Sequence, residues 1–125
     1  MNYLIVFLGG GLGAAIRYGM NVGVGRINPT DFPWHTLIIN ITGCFIMGLI
    51  TEAMALKFNA STEMRLFLTT GILGGYTTFS AFALDFAALF ERRDMLGAGV
   101  YVLASVIISI LACFAGLWLV RSLYA

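Results

Sequence analysis

Four long apolar stretches, separated by short polar connectors, set the pattern of this chain. They cover residues 3–24, 33–56, 66–90 and 95–120. Each exceeds the roughly 20 residues that an α-helix needs to cross the hydrocarbon core of a bilayer. The last carries no Asp, Glu, Lys or Arg along its length, which predicts a tilted span. The connectors, 25–32, 57–65 and 91–94, are too short to hold a soluble domain. The pattern predicts an all-α integral membrane protein, residues 1–125 forming one four-span domain. The first stretch lacks a basic leader and a small-residue cleavage site, so it is expected to be a span and not a signal peptide.

One stretch interrupts the pattern. Residues 71–82, GILGGYTTFSAF, put a diglycine, two threonines and two phenylalanines inside the third apolar run. Glycine weakens a helix locally, and hydroxyls can cover backbone groups that a break sets free. The stretch predicts a third helix broken near residues 74–77, with Gly74 in a conformation that favours glycine. Breaks at membrane depth are tolerated where they line a cavity, commonly an ion or substrate site.

Composition sharpens the class. The chain is 60% hydrophobic and 10% charged, against about 25% charged in soluble domains. A formal net charge of +1 gives no case for a nucleic-acid partner. The basic residues flanking the spans divide evenly: Lys57, Arg65 and Arg121 on the Met1 side, Arg26, Arg92 and Arg93 opposite. The positive-inside rule then assigns no orientation. Either few charges balance by coincidence, or the chain inserts both ways and two inverted copies form an antiparallel dimer. Gly9 and Gly13, then Gly19 and Gly23, repeat at a spacing that lets helix backbones approach closely, within the chain or against a partner. Cys44 and Cys113 lie in separate spans and read as small apolar fillers.

Polar side chains in lipid are costly, so each is a candidate. Arg17 continues the Gly9–Gly13 face and lies near the far edge of the core, either snorkelling to headgroups or guarding an aqueous vestibule. Thr36 and Asn40 share a face of the second span. The Asn40 amide offers two donors to an anion or to another helix. Tyr101, Ser105 and Ser109 form a hydroxyl stripe on the fourth span. Thr78 precedes Phe79 and Phe82, which either pack or turn their positive ring edges towards an anion. Asp85 would repel an anion, so it is expected to anchor hydroxyls or to titrate. His35, beside Trp34, reads as interfacial. No Ser/His/Asp or Cys/His set, metal-ligand spacing or phosphate loop is present, so no enzyme is expected.

These residues resemble a known family. GILGGYTTFSAF is similar to the third-span signature of the Fluc fluoride channels, also called CrcB proteins, whose pattern is close to G-x-x-G-G-x-T-T-F-S-T-F-S. GGGLGAAIRY around Arg17, WHTLIINITG around Asn40 and YVLASVIIS resemble the family's other spans. The resemblance implies an antiparallel, dual-topology homodimer in a bacterial inner membrane that exports fluoride passively through two pores. It maps the fluoride path to Asn40, Phe79, Phe82, Tyr101, Ser105 and Ser109, with Thr36 and Thr78 nearby, and the vestibule to Arg17. It implies a structural Na⁺ at the dimer centre, held by backbone carbonyls of Gly74 and Thr77. Ala81, Ala83, Asp85 and His35 depart from the family's usual Thr, Ser, Glu and Gly, which thins the hydroxyl track beside the second ring. The alternative is a small multidrug-type exporter that exchanges protons for cations. That class needs a carboxylate in the first span, where this chain has only Arg17.

Overall fold

A computed structural model of the protein describes residues 1–28, 30–56 and 59–124. Lys57, counted above among the Met1-side charges, lies outside the described residues. The described elements are all helical: α1 (Asn2–Ile27), α2 (Trp34–Leu56), a one-turn α3 (Thr62–Arg65), a π-helical stretch (Leu66–Leu73), α4 (Gly74–Tyr76), α5 (Ser80–Glu91) and α6 (Met95–Tyr124). Four spans are long and apolar enough to cross a membrane: Asn2–Ile27, Trp34–Leu56, Thr62–Glu91 and Met95–Tyr124. The expected four-span, all-α membrane protein is therefore what this sequence folds into. The third span starts earlier than hydropathy alone suggests, because the Ser61 hydroxyl accepts the Met64 N–H at 3.2 Å and caps the first turn.

The break in the third span falls just after the diglycine. α4 ends at Tyr76, Thr77 is extended (φ −79°, ψ 158°), and helix resumes at Ser80. Gly74 is right-handed helical (φ −62°, ψ −38°), and among the described residues no glycine has positive φ. The expectation that Gly74 needs a glycine-only conformation is thus corrected. Close approach is the reason for glycine at the neighbouring Gly71 and Gly75. A Cβ on Gly9 would lie 2.9 Å from the Gly71 Cα, and one on Gly75 would meet the Gly10 carbonyl. A Cβ on Gly13 would run into the carbonyl of Ile72. α1 therefore crosses the π stretch and α4 backbone against backbone. Gly9 and Gly13 are used within the chain, whereas Gly19 and Gly23 have nothing within 4 Å of an added Cβ.

α2 and α6 form the most extensive helix pair and run in the same direction. Gly48 lies against the Cys113 backbone and Gly116 against that of Phe45 and Leu49, so this crossing is close as well. At one end of the bundle Arg121 bonds both carboxylate oxygens of Glu52, each at 3.2 Å. At the other, Arg92 approaches Asp31 at 3.9 Å. The α5–α6 turn closes with Arg93 N–H on Phe90 O and Asp94 N–H on Leu89 O, both 3.0 Å, and Arg93 sits at φ 62°. This is the left-handed helix ending usually given to glycine. Asp94 then caps α6 by accepting the Gly97 N–H at 2.9 Å.

Candidate functional site

The site is built around the break. Thr77 donates both its N–H (3.0 Å) and its hydroxyl (2.9 Å) to the Leu73 carbonyl, which closes α4. Thr78 lies just before α5 and ties down its first turn, its hydroxyl accepting the Ala81 N–H at 3.1 Å. Between these two, the backbone of Thr78 has no helical partner, and α2 supplies one. Asn40 Nδ2 donates to Thr78 O and Thr78 N–H donates to Asn40 Oδ1, each at 2.9 Å. One side-chain amide thus replaces both missing backbone bonds. Of the two uses open to Asn40 from sequence, an interhelical hydrogen bond is present, and a second Nδ2 hydrogen remains for the space beside it.

That space is a cleft of about 510 Å³ between α2, the break and α6. Asn40, Thr78, Phe79, Phe82, Ser105 and Ser109 line it, with Gly74 and Thr77 at the same wall. The side-chain oxygens of Ser105 and Ser109 are buried, at 7% and 8% residue exposure, without a well-formed hydrogen bond; the Cys44 thiol is a weak partner beside Ser109. The rings of Phe79 and Phe82 stand 5.5 Å apart and tilted by 52°. Phe79 is 78% exposed on the single chain, while Phe82 is half-buried.

Thr36 and Tyr101 do not line this cleft. They lie on α2 and α6 one turn beyond Asn40 and Ser105, fully buried, and both donate to Asp85 Oδ2, at 2.7 and 3.2 Å. Asp85 therefore anchors hydroxyls, one of the two roles expected for it. The Phe82 ring stands 5.2 Å from that of Tyr101 and separates this group from the cleft. On its other side Asp85 lines a second, polar cleft of about 340 Å³ with Asn28, His35 and Arg92. His35, expected at the membrane interface, is thus half-buried at this mouth. Arg17 is not brought to the cleft. It is half-buried on α1, and its Nε is enclosed without a partner. Ala81 serves the break through its backbone, and Ala83 is exposed.

The sequence reading missed Cys44, which lines the main cleft. The signal was available: Cys44 continues the Thr36–Asn40 face by one more turn. Both cysteines are free. Among the described residues no group of three or more His, Cys, Asp or Glu is placed to hold a metal ion.

Residues 4–117 match the family model described as CrcB-like protein, Camphor Resistance (CrcB). The chain belongs to the CrcB-like family. Curated relatives span its full length. It is 54% identical over 123 residues to the fluoride-specific ion channel FluC of Rhodopseudomonas palustris (strain BisB5), covering 98% of this chain and 99% of that one. It is also 54% identical over 122 residues to the proteins of the same name from Chelativorans sp. (strain BNC1) and Mesorhizobium japonicum, covering 98% of both chains in each case. In this CrcB-like chain, residues from three of the four spans converge on the break, although only the third span carries the family's most specific motif.

Proposed function

We propose that this CrcB-like chain is a passive, fluoride-selective channel of the bacterial inner membrane, which exports fluoride and has no enzymatic activity. The observation that carries the reading is the pair of buried hydroxyls without a well-formed hydrogen bond, Ser105 and Ser109, facing Phe79 and Phe82 across one cleft. A buried hydroxyl left unpaired costs about 1–3 kcal/mol. An ion or water in the cleft removes that cost. Hydroxyls, the free Asn40 hydrogen and ring edges offer a small anion partial positive charge. None of the residues lining the cleft is Lys or Arg, so the anion is stabilised without being trapped. Relatives named as fluoride-specific channels support fluoride as the anion. Asn40, Phe79, Phe82, Ser105, Ser109 and Thr78 form the path, Thr36 and Tyr101 support it from beyond the Phe82 ring by holding Asp85, and Arg17 attracts anions at a vestibule.

The working unit is an antiparallel homodimer with two pores. A Phe79 ring that is 78% exposed and an exposed Gly74 beside the break support a second copy on this face, and Gly19 and Gly23 leave α1 open to close approach. The balanced flanking charges support insertion both ways. Gly74 and Thr77 suit a structural Na⁺. α4 ends at Tyr76 with Thr77 as its extended C-cap, and a helix end leaves carbonyls without intrahelical partners. The Thr77 hydroxyl is already bonded to Leu73, so the carbonyls are the ligands on offer. Oxygen donors suit a hard cation, and the bound ion supplies fixed positive charge at the dimer centre. The proton-coupled exporter reading gains no support, since α1 contains no Asp or Glu.

Liposomes containing only the purified protein, loaded with fluoride, should empty when an ionophore releases the membrane potential, with no pH gradient imposed. Chloride-loaded liposomes should not. Efflux that appears only with a proton gradient, or equal flux of both halides, refutes a passive fluoride-selective channel.

A further inference from the structure

The parallel pairing of α2 and α6 repeats every turn. Thr36 and Tyr101 meet at Asp85, Asn40 and Ser105 line the cleft, and Cys44 and Ser109 line it next. One turn further on, Gly48 lies against the Cys113 backbone and the pair closes. Every polar member of this ladder has a part in the proposed path except Cys44. Its level is not ordinary core. The facing Ser109 hydroxyl is 8% exposed and makes no well-formed hydrogen bond; the Cys44 thiol beside it is a weak partner, so the wall there is short of a strong hydrogen-bonding group.

Resting on the channel reading above, the geometry points to Cys44 as a further wall residue of the ion path, one helical turn beyond Asn40, where its thiol and the Ser109 hydroxyl face the passing ion together. A thiol is a weak donor and uncharged. Beside a hydroxyl with no strong partner it gives the anion a shallow step between the Asn40 level and the end of the cleft. The same placement makes the path open to thiol chemistry at one point. Cys113 serves as an internal contrast, because it packs at Gly48 and does not line the cleft.

The test uses the full chain carrying Cys113→Ala, reconstituted in liposomes, and methyl methanethiosulfonate, a small uncharged reagent. The Cys44 thiol displaces methanesulfinate from the reagent, forming a mixed disulfide to a thiomethyl group while its proton leaves with the sulfinate. Mass spectrometry should show one added group per chain. Fluoride efflux should fall roughly tenfold or more, equivalent to about 1.4 kcal/mol of added barrier, and dithiothreitol should restore it. Efflux from the Cys44→Ser, Cys113→Ala double variant should be indifferent to the reagent. Complete labelling with undiminished efflux overturns the proposal and leaves the channel reading intact. So does a conducting channel in which Cys44 resists the reagent, or one in which the double variant is still inhibited. Absence of fluoride efflux from the unlabelled protein overturns the channel reading, and this proposal with it.

Discussion

Removing the Asn40 amide tests the break most directly. In Asn40→Ala both 2.9 Å bonds to Thr78 disappear, and the N–H and carbonyl of Thr78 are left without protein partners between two helices. Each orphaned group costs about 1–3 kcal/mol, so the pinned break loses about 2–6 kcal/mol, or roughly thirtyfold to beyond ten-thousandfold in its population. Asn40→Asp is a gentler structural change and a harsher electrostatic one. The carboxylate still accepts the Thr78 N–H but sets an oxygen against the Thr78 carbonyl. It loses one bond, about 1–3 kcal/mol by the same reckoning, and adds negative charge where the anion passes. The aspartate variant should therefore stay better folded than the alanine variant while conducting no better. Fluoride-electrode efflux from liposomes measures conduction, and circular dichroism with size-exclusion chromatography measures folding and assembly. Wild-type efflux from Asn40→Ala would refute the pinning role. Wild-type efflux from Asn40→Asp would remove Asn40 from the ion path.

Three further outcomes follow from the packing. Gly13→Ala drives a Cβ into the Ile72 carbonyl and should destabilise the chain by about 3 kcal/mol, the upper end of the cost of overpacking. Gly19→Ala meets nothing within 4 Å, so thermal melts in detergent should separate the two variants unless a partner chain occupies that side. Arg93→Gly relieves a left-handed backbone position (φ 62°) and should raise stability by about 1 kcal/mol. It also leaves one fewer positive charge on that side, so cysteine tags near Tyr124 should label unequally from the two faces of a cell. Efflux from protein prepared in Na⁺ should exceed efflux from protein prepared in a bulky organic cation. Gly74→Ala, whose Cβ would lie 3.5 Å from the Thr69 carbonyl, an ordinary contact, keeps its backbone carbonyl and should fold and retain that dependence. Full efflux in the absence of every small cation would refute a structural ion.

The sequence by itself determined the solvent, the span count and the place of the break in the third span. Hydrophobic length is a local property, and four apolar runs cannot fold as anything but bilayer-crossing elements without exposing them to water. Hydroxyls and Asn40 stand out by the same logic, because a polar group in lipid is costly wherever the chain later takes it. Helical periodicity also put Thr36 and Asn40 on one face, and Tyr101, Ser105 and Ser109 on another, before any contact was known. Tertiary structure alone decided which faces meet. The glycines of the third span look like the cause of the break, yet Gly71 and Gly75 let α1 approach, and the break falls at Thr77. Gly9 and Gly13 read the same as Gly19 and Gly23 in sequence; only the crossing with α4 and the π stretch separates them. Asn40 became the clamp on Thr78, Asp85 the acceptor for two hydroxyls, and Cys44 a wall residue, because each role needs a partner dozens of residues away. Periodicity fixes the direction of a side chain from its own helix axis. It carries no information about the neighbouring helix that the side chain will meet.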